Sequence, residues 1–446
     1  MSELIISVSG LRGIVGESLT PEVAARYALA FAAELPIGVI VITRDGRASG
    51  EMFAAALSAV LVGAGRDVLD GGIAATPTTG VLVRELPAAG GIQISASHNP
   101  AEYNGLKLFS RAGRVIPAAD GERVVQRFHR GEELPQRGAT GTVTTLSDTT
   151  SAHLRLIEQT IDIERIRAQH FRVLLDSNHG AGSILGRELL EHLGCTAMLL
   201  GVPPDGQFEN PPEPTAENLV GVCPRVRELG AAIGFCQDPD ADRLAIIDER
   251  GQYIGEEYTL ALCVDHVLRQ TPGPVVTNCS TSRMTQDLAE KYGVPFFRSA
   301  VGEANVVDAM LAHQAVIGGE GNGGAIDPRV GLVRDSFVGM ALVLDAMASR
   351  GLPLSALVAE LPHYAIHKTK VTLSRKRVVT AFDALQHHFA DAAPDRLDGL
   401  RLDWPDRWLL VRASNTEPIV RIIAEAPDAD AAKGLCDRAV EVLMAT

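Results

Sequence analysis

The stretch Phe171–Val202, FRVLLDSNHGAGSILGRELLEHLGCTAMLLGV, decides the fold class. FRVLLD reads as a strand, and SNHGAG as a glycine-rich turn. SILGRELLEHLG reads as a helix that closes on Gly194, as a left-handed C-terminal cap requires. CTAMLLGV returns as a strand. Strand, helix and strand in succession imply a βαβ crossover and largely parallel pairing. The order recurs in Ile37–Gly72 (IGVIVITRDGR, GEMFAAALSAVLVGAG, RDVLDGG) and in Gly273–Gly302 (GPVVTNCSTS, RMTQDLAEKYG, VPFFRSAVG). The last segment differs. From about Tyr364 it reads strand, helix, strands and a final helix, DADAAKGLCDRAVEVLMA. The expected fold is α/β: three tandem, topologically similar α/β domains with mixed, mostly parallel sheets, plus a C-terminal α+β domain, around a central cleft. Seams are expected near Ser147, Gly251 and Pro362, giving domains 1–147, 148–251, 252–362 and 363–446.

Composition narrows the function. Apolar residues make up 46% and aromatics 4%, so cores must be built from Ala, Val, Leu and Ile. A formal net charge of −14 excludes bulk attraction to nucleic acid or an anionic membrane, so any phosphate must meet a local cluster of cations. The six cysteines show no CxxC spacing, which points to a reducing compartment without zinc or disulfides. MSELIISVSG lacks a basic n-region and a long apolar core, and MFAAALSAVLVGAG is too short to span a bilayer. The expectation is a cytoplasmic protein, monomer or homodimer.

In QDPDADRLAIID, Asp238, Asp240 and Asp242 alternate between two apolar strand-like runs. Three carboxylates this close repel unless a cation lies between them, and hard oxygen ligands suit Mg²⁺ or Ca²⁺. An EF-hand would place a bidentate acid at Glu249, but Arg243 stands where that loop needs glycine and the flanks read as strands. Mg²⁺ at a strand-turn-strand junction is the better reading; an acidic surface turn is the alternative. LLVRASNTEP brings Arg412, Ser414, Asn415 and Thr416 off a strand, a set that matches a phosphate dianion or else a simple turn. SVSGLRGIVG brackets Arg12 with glycines, so one guanidinium can project into a cleft; the alternative is a connector with a solvated Arg. Its spacing is not that of a dinucleotide fingerprint. In GGEGNGGAI, five glycines surround Glu320 and Asn322, which suit sugar hydroxyls, unless the glycines serve only a mobile loop.

GIQISASHNP carries Ser97 at the end of a strand. No GxSxG elbow occurs, and His98, the next residue, need not face the Ser97 hydroxyl, so a serine hydrolase is not indicated. A phosphoryl-carrying serine instead needs a metal and cations. The aspartate turn offers the first; Arg12, Lys107 and Arg243 offer the second.

SASHNP, DPDADR, GEGNGG and RASNTEP, in this order, resemble the α-D-phosphohexomutase family of phosphoglucomutases, phosphomannomutases and phosphoglucosamine mutases. The resemblance runs from about Ser9 to Pro418 and implies four domains, three α/β and one α+β. It implies exchange of hexose 1-phosphate and 6-phosphate through a phosphoserine at Ser97 and a bisphosphorylated sugar, with hexose 1,6-bisphosphate as primer. Asp238, Asp240 and Asp242 would ligate Mg²⁺, with a phosphoserine oxygen of Ser97 completing the site. Arg12, Lys107 and Arg243 would assist proton transfer and charge stabilisation, with His98, counted in the catalytic set, and Asn99 shaping the loop. Glu320 and Asn322 would contact the sugar, and Arg412, Ser414, Asn415, Thr416 and Arg421 would clamp the distal phosphate. A fourth domain closing the cleft would keep water from the phosphoryl group. One departure stands out. Many relatives read GEMSGH in the sugar loop, whereas here Asn322 and Gly324 replace its Ser and His. Proton handling then falls to Arg12 or Lys107. GEGNGG resembles a branch labelled phosphoglucosamine or phosphomannomutase, so the expected activity is phosphoglucosamine mutase, with phosphomannomutase or phosphoglucomutase as the alternative. A Mg²⁺-dependent sugar phosphatase, betrayed by steady phosphate release, and a non-catalytic sugar-phosphate sensor are the rivals from other classes. The expected partners are small sugar phosphates, with no nucleic acid and no membrane.

Overall fold

Three sheets repeat one strand order. In each, four strands taken in chain order lie fourth, third, first, second across the sheet. They are Ile40–Arg44, Val68–Ile73, Gly90–Ile94 and Tyr103–Ser110 in the first unit. Arg172–Asp176, Thr196–Leu200, Ile233–Gln237 and Leu244–Asp248 form the second, and Val275–Asn278, Phe296–Ser299, Ile317–Glu320 and Gly324–Ile326 the third. First, second and third strands pair in parallel; the fourth always runs antiparallel to the third. The three alike, mixed sheets expected from sequence are present. The structure is a computed structural model, and it describes residues 4–86, 88–131, 140–373, 375–413 and 419–445.

The crossover helices end as their glycines dictate. Gly65, Gly194 and Gly293 follow the helices Gly50–Gly63, Gly182–His192 and Met284–Lys291, with φ of 77°, 69° and 65°. The first sheet is widened to seven strands by Ile5–Ser7 and Gly10–Ile14 on one edge and Val143–Thr145 on the other. SVSGLRGIVG, whose alternative reading is a glycine-rich connector, contributes a strand, Gly10–Ile14. Gly10 is required there, because a Cβ would lie 1.9 Å from the Leu106 carbonyl oxygen.

The C-terminal unit is a five-stranded antiparallel sheet in the order Ala365–Thr372, Ile419–Ala426, Trp408–Ala413, Leu400–Asp403, Ala393–Asp395. The helices Arg375–His388 and Ala429–Ala445 accompany it, and its own apolar core includes Leu385, Leu409 and Leu435. The second and third units share one large apolar cluster, beside a smaller one in each. The helix Ser336–Arg350 is buried nearly all round inside the shared cluster, which reaches from Ala75 and Val81 of the first unit to Leu361. Asp335 starts this helix by accepting from the N–H groups of Phe337 and Val338. A common core fixes the loops of these two units relative to each other.

Candidate active site

The loop between third and fourth strands carries a chemical motif in all three units: Ser97 in the first, Asp238–Arg243 in the second, Gly321–Gly323 in the third. The third strand belongs to the parallel part of its sheet, so these loops lie at its carboxyl end, where α/β sheets characteristically bind ligands. They converge on a cavity of about 840 Å³ whose wall also includes the C-terminal unit, through Lys368, Lys370 and Arg421.

Ser97 is 1% exposed and holds a left-handed backbone, φ 51°. Its neighbours impose that geometry. Ser95 Oγ donates to buried Asp45 at 2.7 Å and accepts the Ser97 N–H at 2.9 Å. Arg47 donates to the carbonyls of Ser97 (2.7 Å), Asn99 (2.6 Å), Pro100 (2.6 Å) and Tyr103 (3.0 Å). Its Nε reaches Asp45 at 3.1 Å, so all five guanidinium N–H groups are used. Sequence reasoning passed over Asp45 and Arg47; the polar run RDGR after a strand was the only signal.

The aspartate turn lies between two strands, which removes the EF-hand rival. All three carboxylates are fully buried, and a ligand oxygen from each lies within 4.8 Å of the others. Asp238 Oδ1 accepts the N–H groups of Asp242 and Arg243, both at 3.1 Å, and Asp238 Oδ2 accepts Ser97 Oγ at 3.0 Å. Asp240 accepts from Thr76 Oγ1 and from Lys107 Nζ at 2.5 Å. Asp242 Oδ2 accepts from Lys107 and from Arg334, both at 2.7 Å. Asp240 Oδ1 and Asp242 Oδ1 are buried without a hydrogen-bond partner among the described residues. Two orphaned hard oxygens beside Asp238 and Ser97 Oγ fit a divalent cation such as Mg²⁺. Burial and the two neighbouring carboxylates push Asp238 well above the usual range. Burial also opposes ionisation of Asp240 and Asp242, but Lys107 holds the first below it, and Arg334 with Lys107 the second. Burial works against charge on Lys107 too; Asp240 and Asp242 outweigh it and raise its affinity for the proton.

Arg12, His98, Lys107 and Arg243 all line the cavity beside Ser97. Arg12 Nη1 donates to Asn99 Oδ1 at 3.3 Å, and Arg243 Nη1 to Glu213 at 2.9 Å. His98 Nδ1 stands 3.4 Å from Ser97 Oγ. Burial, with Arg243 and Arg12 nearby, pushes His98 down to about 3, so the ring is neutral at physiological pH. Among the described residues no carboxylate hydrogen-bonds to it, so the third member of a hydrolase triad is missing.

In the sugar loop, Glu320 Oε1 accepts from Asn278 Nδ2 (2.7 Å) and Gly302 N–H (3.2 Å), and Oε2 from Arg334 Nη1 (2.6 Å). Asn322 lines the cavity with a buried Oδ1 that has no hydrogen-bond partner among the described residues. Arg412 ion-pairs with Asp398 at 2.8 Å, while Arg421, its cross-strand partner, lines the cavity. Ser414, Asn415 and Thr416 lie outside the described residues. Sequence reasoning also missed Arg334, Glu256, Glu257, Lys368 and Lys370. Only the lysines left a signal: their i, i+2 spacing in a strand puts both on one face.

Comparison with known proteins agrees with this layout. Residues 4–135, 151–251 and 256–364 match phosphoglucomutase/phosphomannomutase alpha/beta/alpha domains I, II and III, and residues 368–442 match the C-terminal domain of the same family. A protein of Thermococcus kodakarensis named phosphoglucomutase/phosphomannomutase is 37% identical over 97% of each chain. A probable phosphoglucosamine mutase of Methanopyrus kandleri is 32% identical, over 98% of this chain and 96% of its own. The crystal structure of a putative phosphomannomutase from Thermus thermophilus superposes over 100% of both chains with a TM-score of 0.85 at 25% identity. The chain belongs to the phosphoglucomutase/phosphomannomutase family, the α-D-phosphohexomutases. It is a phosphohexomutase, and no described helix is long and apolar enough to cross a membrane.

Proposed function

We propose that the protein interconverts glucosamine 6-phosphate and glucosamine 1-phosphate, with mannose and glucose phosphates as the alternative substrates, through a phosphoserine at Ser97. The observation that carries the mechanism is Ser97 Oγ 3.0 Å from Asp238, in a cavity walled by all four units. The lean towards glucosamine is supported by relatives at 32–33% identity named probable phosphoglucosamine mutase. The relative at 37% named phosphoglucomutase/phosphomannomutase supports the alternative.

A sugar hydroxyl oxygen attacks the phosphorus of phosphorylated Ser97. The new O–P bond forms as the Ser97 Oγ–P bond breaks, and the hydroxyl proton passes to a neighbouring group. The bisphosphorylated sugar turns over and returns its other phosphoryl group to Ser97; hexose 1,6-bisphosphate from outside serves as primer. Asp238, Asp240 and Asp242 would hold Mg²⁺, which supplies charge neutralisation of the phosphoryl group. Arg12 and Arg243 line the cavity beside Ser97 and can offset charge on the transferring oxygens, and Lys107, held protonated by Asp240 and Asp242, can give its proton to the departing Ser97 Oγ and take up the one the sugar hydroxyl releases. Glu320 and Asn322 meet sugar hydroxyls, and the unpartnered Asn322 Oδ1 is an acceptor available to one. Arg421, Lys368 and Lys370 present a basic wall to the distal phosphate.

The test is a substrate panel: glucose, mannose, glucosamine and N-acetylglucosamine 1-phosphates with Mg²⁺ and a hexose bisphosphate primer. Glucosamine 1-phosphate is expected to turn over fastest, and equal rates on all four would defeat the assignment. Ser97→Ala is expected to abolish transfer without changing the thermal melt; turnover at the parent rate would sink the phosphoserine scheme.

A further inference from the structure

Arg334 starts nowhere near the expected site in the sequence, yet it is the one described residue that bridges Asp242 and Glu320. Nη2 donates to Asp242 Oδ2 at 2.7 Å, and Nη1 to Glu320 Oε2 at 2.6 Å. Nε lies 3.0 Å from Glu303 Oε2. The residue is 9% exposed and lies on the cavity wall. Burial penalises its charge, but three carboxylates hold it protonated at all accessible pH.

Gly324 explains how the guanidinium gets there. It lies in the strand Gly324–Ile326 with no left-handed φ, so the backbone does not call for glycine. A Cβ at that position would sit 2.4 Å from Arg334 Cδ, 2.8 Å from Cγ and 3.0 Å from Cβ. The contact falls on the stem of the side chain, so no rotation of the tip relieves it. Position 324 is bare because the Arg334 stem crosses it. The glycine at position 324 and the buried course of Arg334 are one structural fact.

We propose that Arg334 is a positioning residue that couples ion binding at the aspartate turn to the seating of the sugar at Glu320. Its two Nη groups are shared between a carboxylate of the turn and one of the sugar loop. A change in what Glu320 holds alters the direction of the guanidinium and how fully Asp242 shares it. Glu303 is the third party: it faces the same guanidinium, and burial raises its affinity for a proton while Arg334 opposes this. The shared core of the second and third units keeps the two loops in register, so the coupling runs through the side chain and not through domain movement.

The inference rests on reading Asp238, Asp240 and Asp242 as Mg²⁺ ligands and Glu320 as the sugar contact. The test is calorimetric titration of Mg²⁺ into the full chain without sugar, as a mutant cycle. Glu320→Gln leaves Arg334 more fully to Asp242 and should weaken Mg²⁺ binding by at least about 5-fold, the low end of ordinary site coupling. In the Arg334→Met background the same change should shift affinity by under about twofold. Gly324→Ala displaces the stem and should abolish the coupling as Arg334→Met does; adding it to Arg334→Met should change nothing more. Should Arg334→Met fail to fold, Arg334→Lys keeps the charge without the fork and should also lose the coupling. In turnover, the parent KM for sugar phosphate should depend on Mg²⁺ concentration, because coupling is reciprocal, and Arg334→Lys should remove that dependence. An equal Glu320→Gln shift in both backgrounds, or coupling that survives Gly324→Ala, overturns the proposal. A parent that binds no Mg²⁺ fails the underlying reading instead.

Discussion

Asp45 sits just past the strand Ile40–Arg44 with no exposure to water, and both of its oxygens meet donors. Through Ser95 it holds the Ser97 N–H, and through Arg47 it organises four carbonyls of the same loop. Arg47→Met would take the guanidinium from four carbonyls and leave buried Asp45 without its cation, which costs about 3–5 kcal/mol for a broken buried pair. It should also lower kcat by about 10²-fold, since a reacting atom displaced by an ångström loses that much. Urea unfolding and single-turnover transfer measure the two separately, and a variant with parent kcat would remove Arg47 from the mechanism. Glu257 offers a pH test. Burial raises its carboxyl from 4.5 to about 8; the Ser282 N–H bond and Lys368 oppose this, and Glu425 and Glu256 add to it. The folded chain therefore binds a proton that the unfolded chain has lost between those values, so stability falls as pH rises from about 4.5 to about 8. Glu257→Gln should flatten that slope in denaturant titrations at pH 5 and pH 8.5; an unchanged slope would assign the titration to another group.

At the level of elements, one topological position, the connection from third to fourth strand, was used three times for three chemical tasks. The sugar loop approaches the aspartate turn so closely that Leu244 N–H donates to the Gly323 carbonyl at 3.2 Å. Gly323 has φ 79°, and a Cβ would lie 2.2 Å from the Leu244 oxygen. Gly131 has φ 63° with nothing within 4 Å. Gly131→Ala should thus cost only the strain of the left-handed region, about 1–2 kcal/mol. Gly323→Ala must cost more, because backbone has to move as well. Equal unfolding midpoints for the two variants would show that the close approach does not matter. The strand-helix-strand repeats were legible because each is local: an apolar run, a polar turn, and a glycine two residues beyond the helix end. Asp238, Asp240 and Asp242 were legible because the site lies within five residues of chain. Arg334 was not, since its partner Asp242 lies 92 residues away and nothing near Arg334 distinguishes it from a surface arginine. The strand Gly10–Ile14 was not legible because a short, glycine-rich strand carries too little alternation to show its period.

At the scale of the whole molecule, the C-terminal unit is attached differently from the rest. The second and third units share an apolar core, whereas the fourth meets the third largely through polar contacts. Arg283 N–H donates to Glu425, Arg401 donates to the Cys279 carbonyl, and Arg298 pairs with Asp403. The apolar patch at this junction is small, centred on Cys279, Trp408 and Leu410. Such a junction can shift with less loss than a core can, which suits a unit that must admit a sugar and then exclude water. Its contribution to the cavity is exposed charge: Lys368 and Lys370 from one strand, with Arg421 paired opposite Lys370 on the next. Exposed cations attract a phosphate dianion through screened solvent, so their effect must fade as ionic strength rises. The parent KM for a hexose 6-phosphate should therefore climb between low and high salt. The double variant Lys368→Met, Lys370→Met should start from a KM higher by about tenfold, roughly 1.4 kcal/mol of lost binding, and climb less steeply. The aspartate turn and Ser97 lie on other units, so single-turnover transfer from bound, saturating sugar should change far less than KM. A double variant with the parent's salt dependence would show that the distal phosphate is held elsewhere.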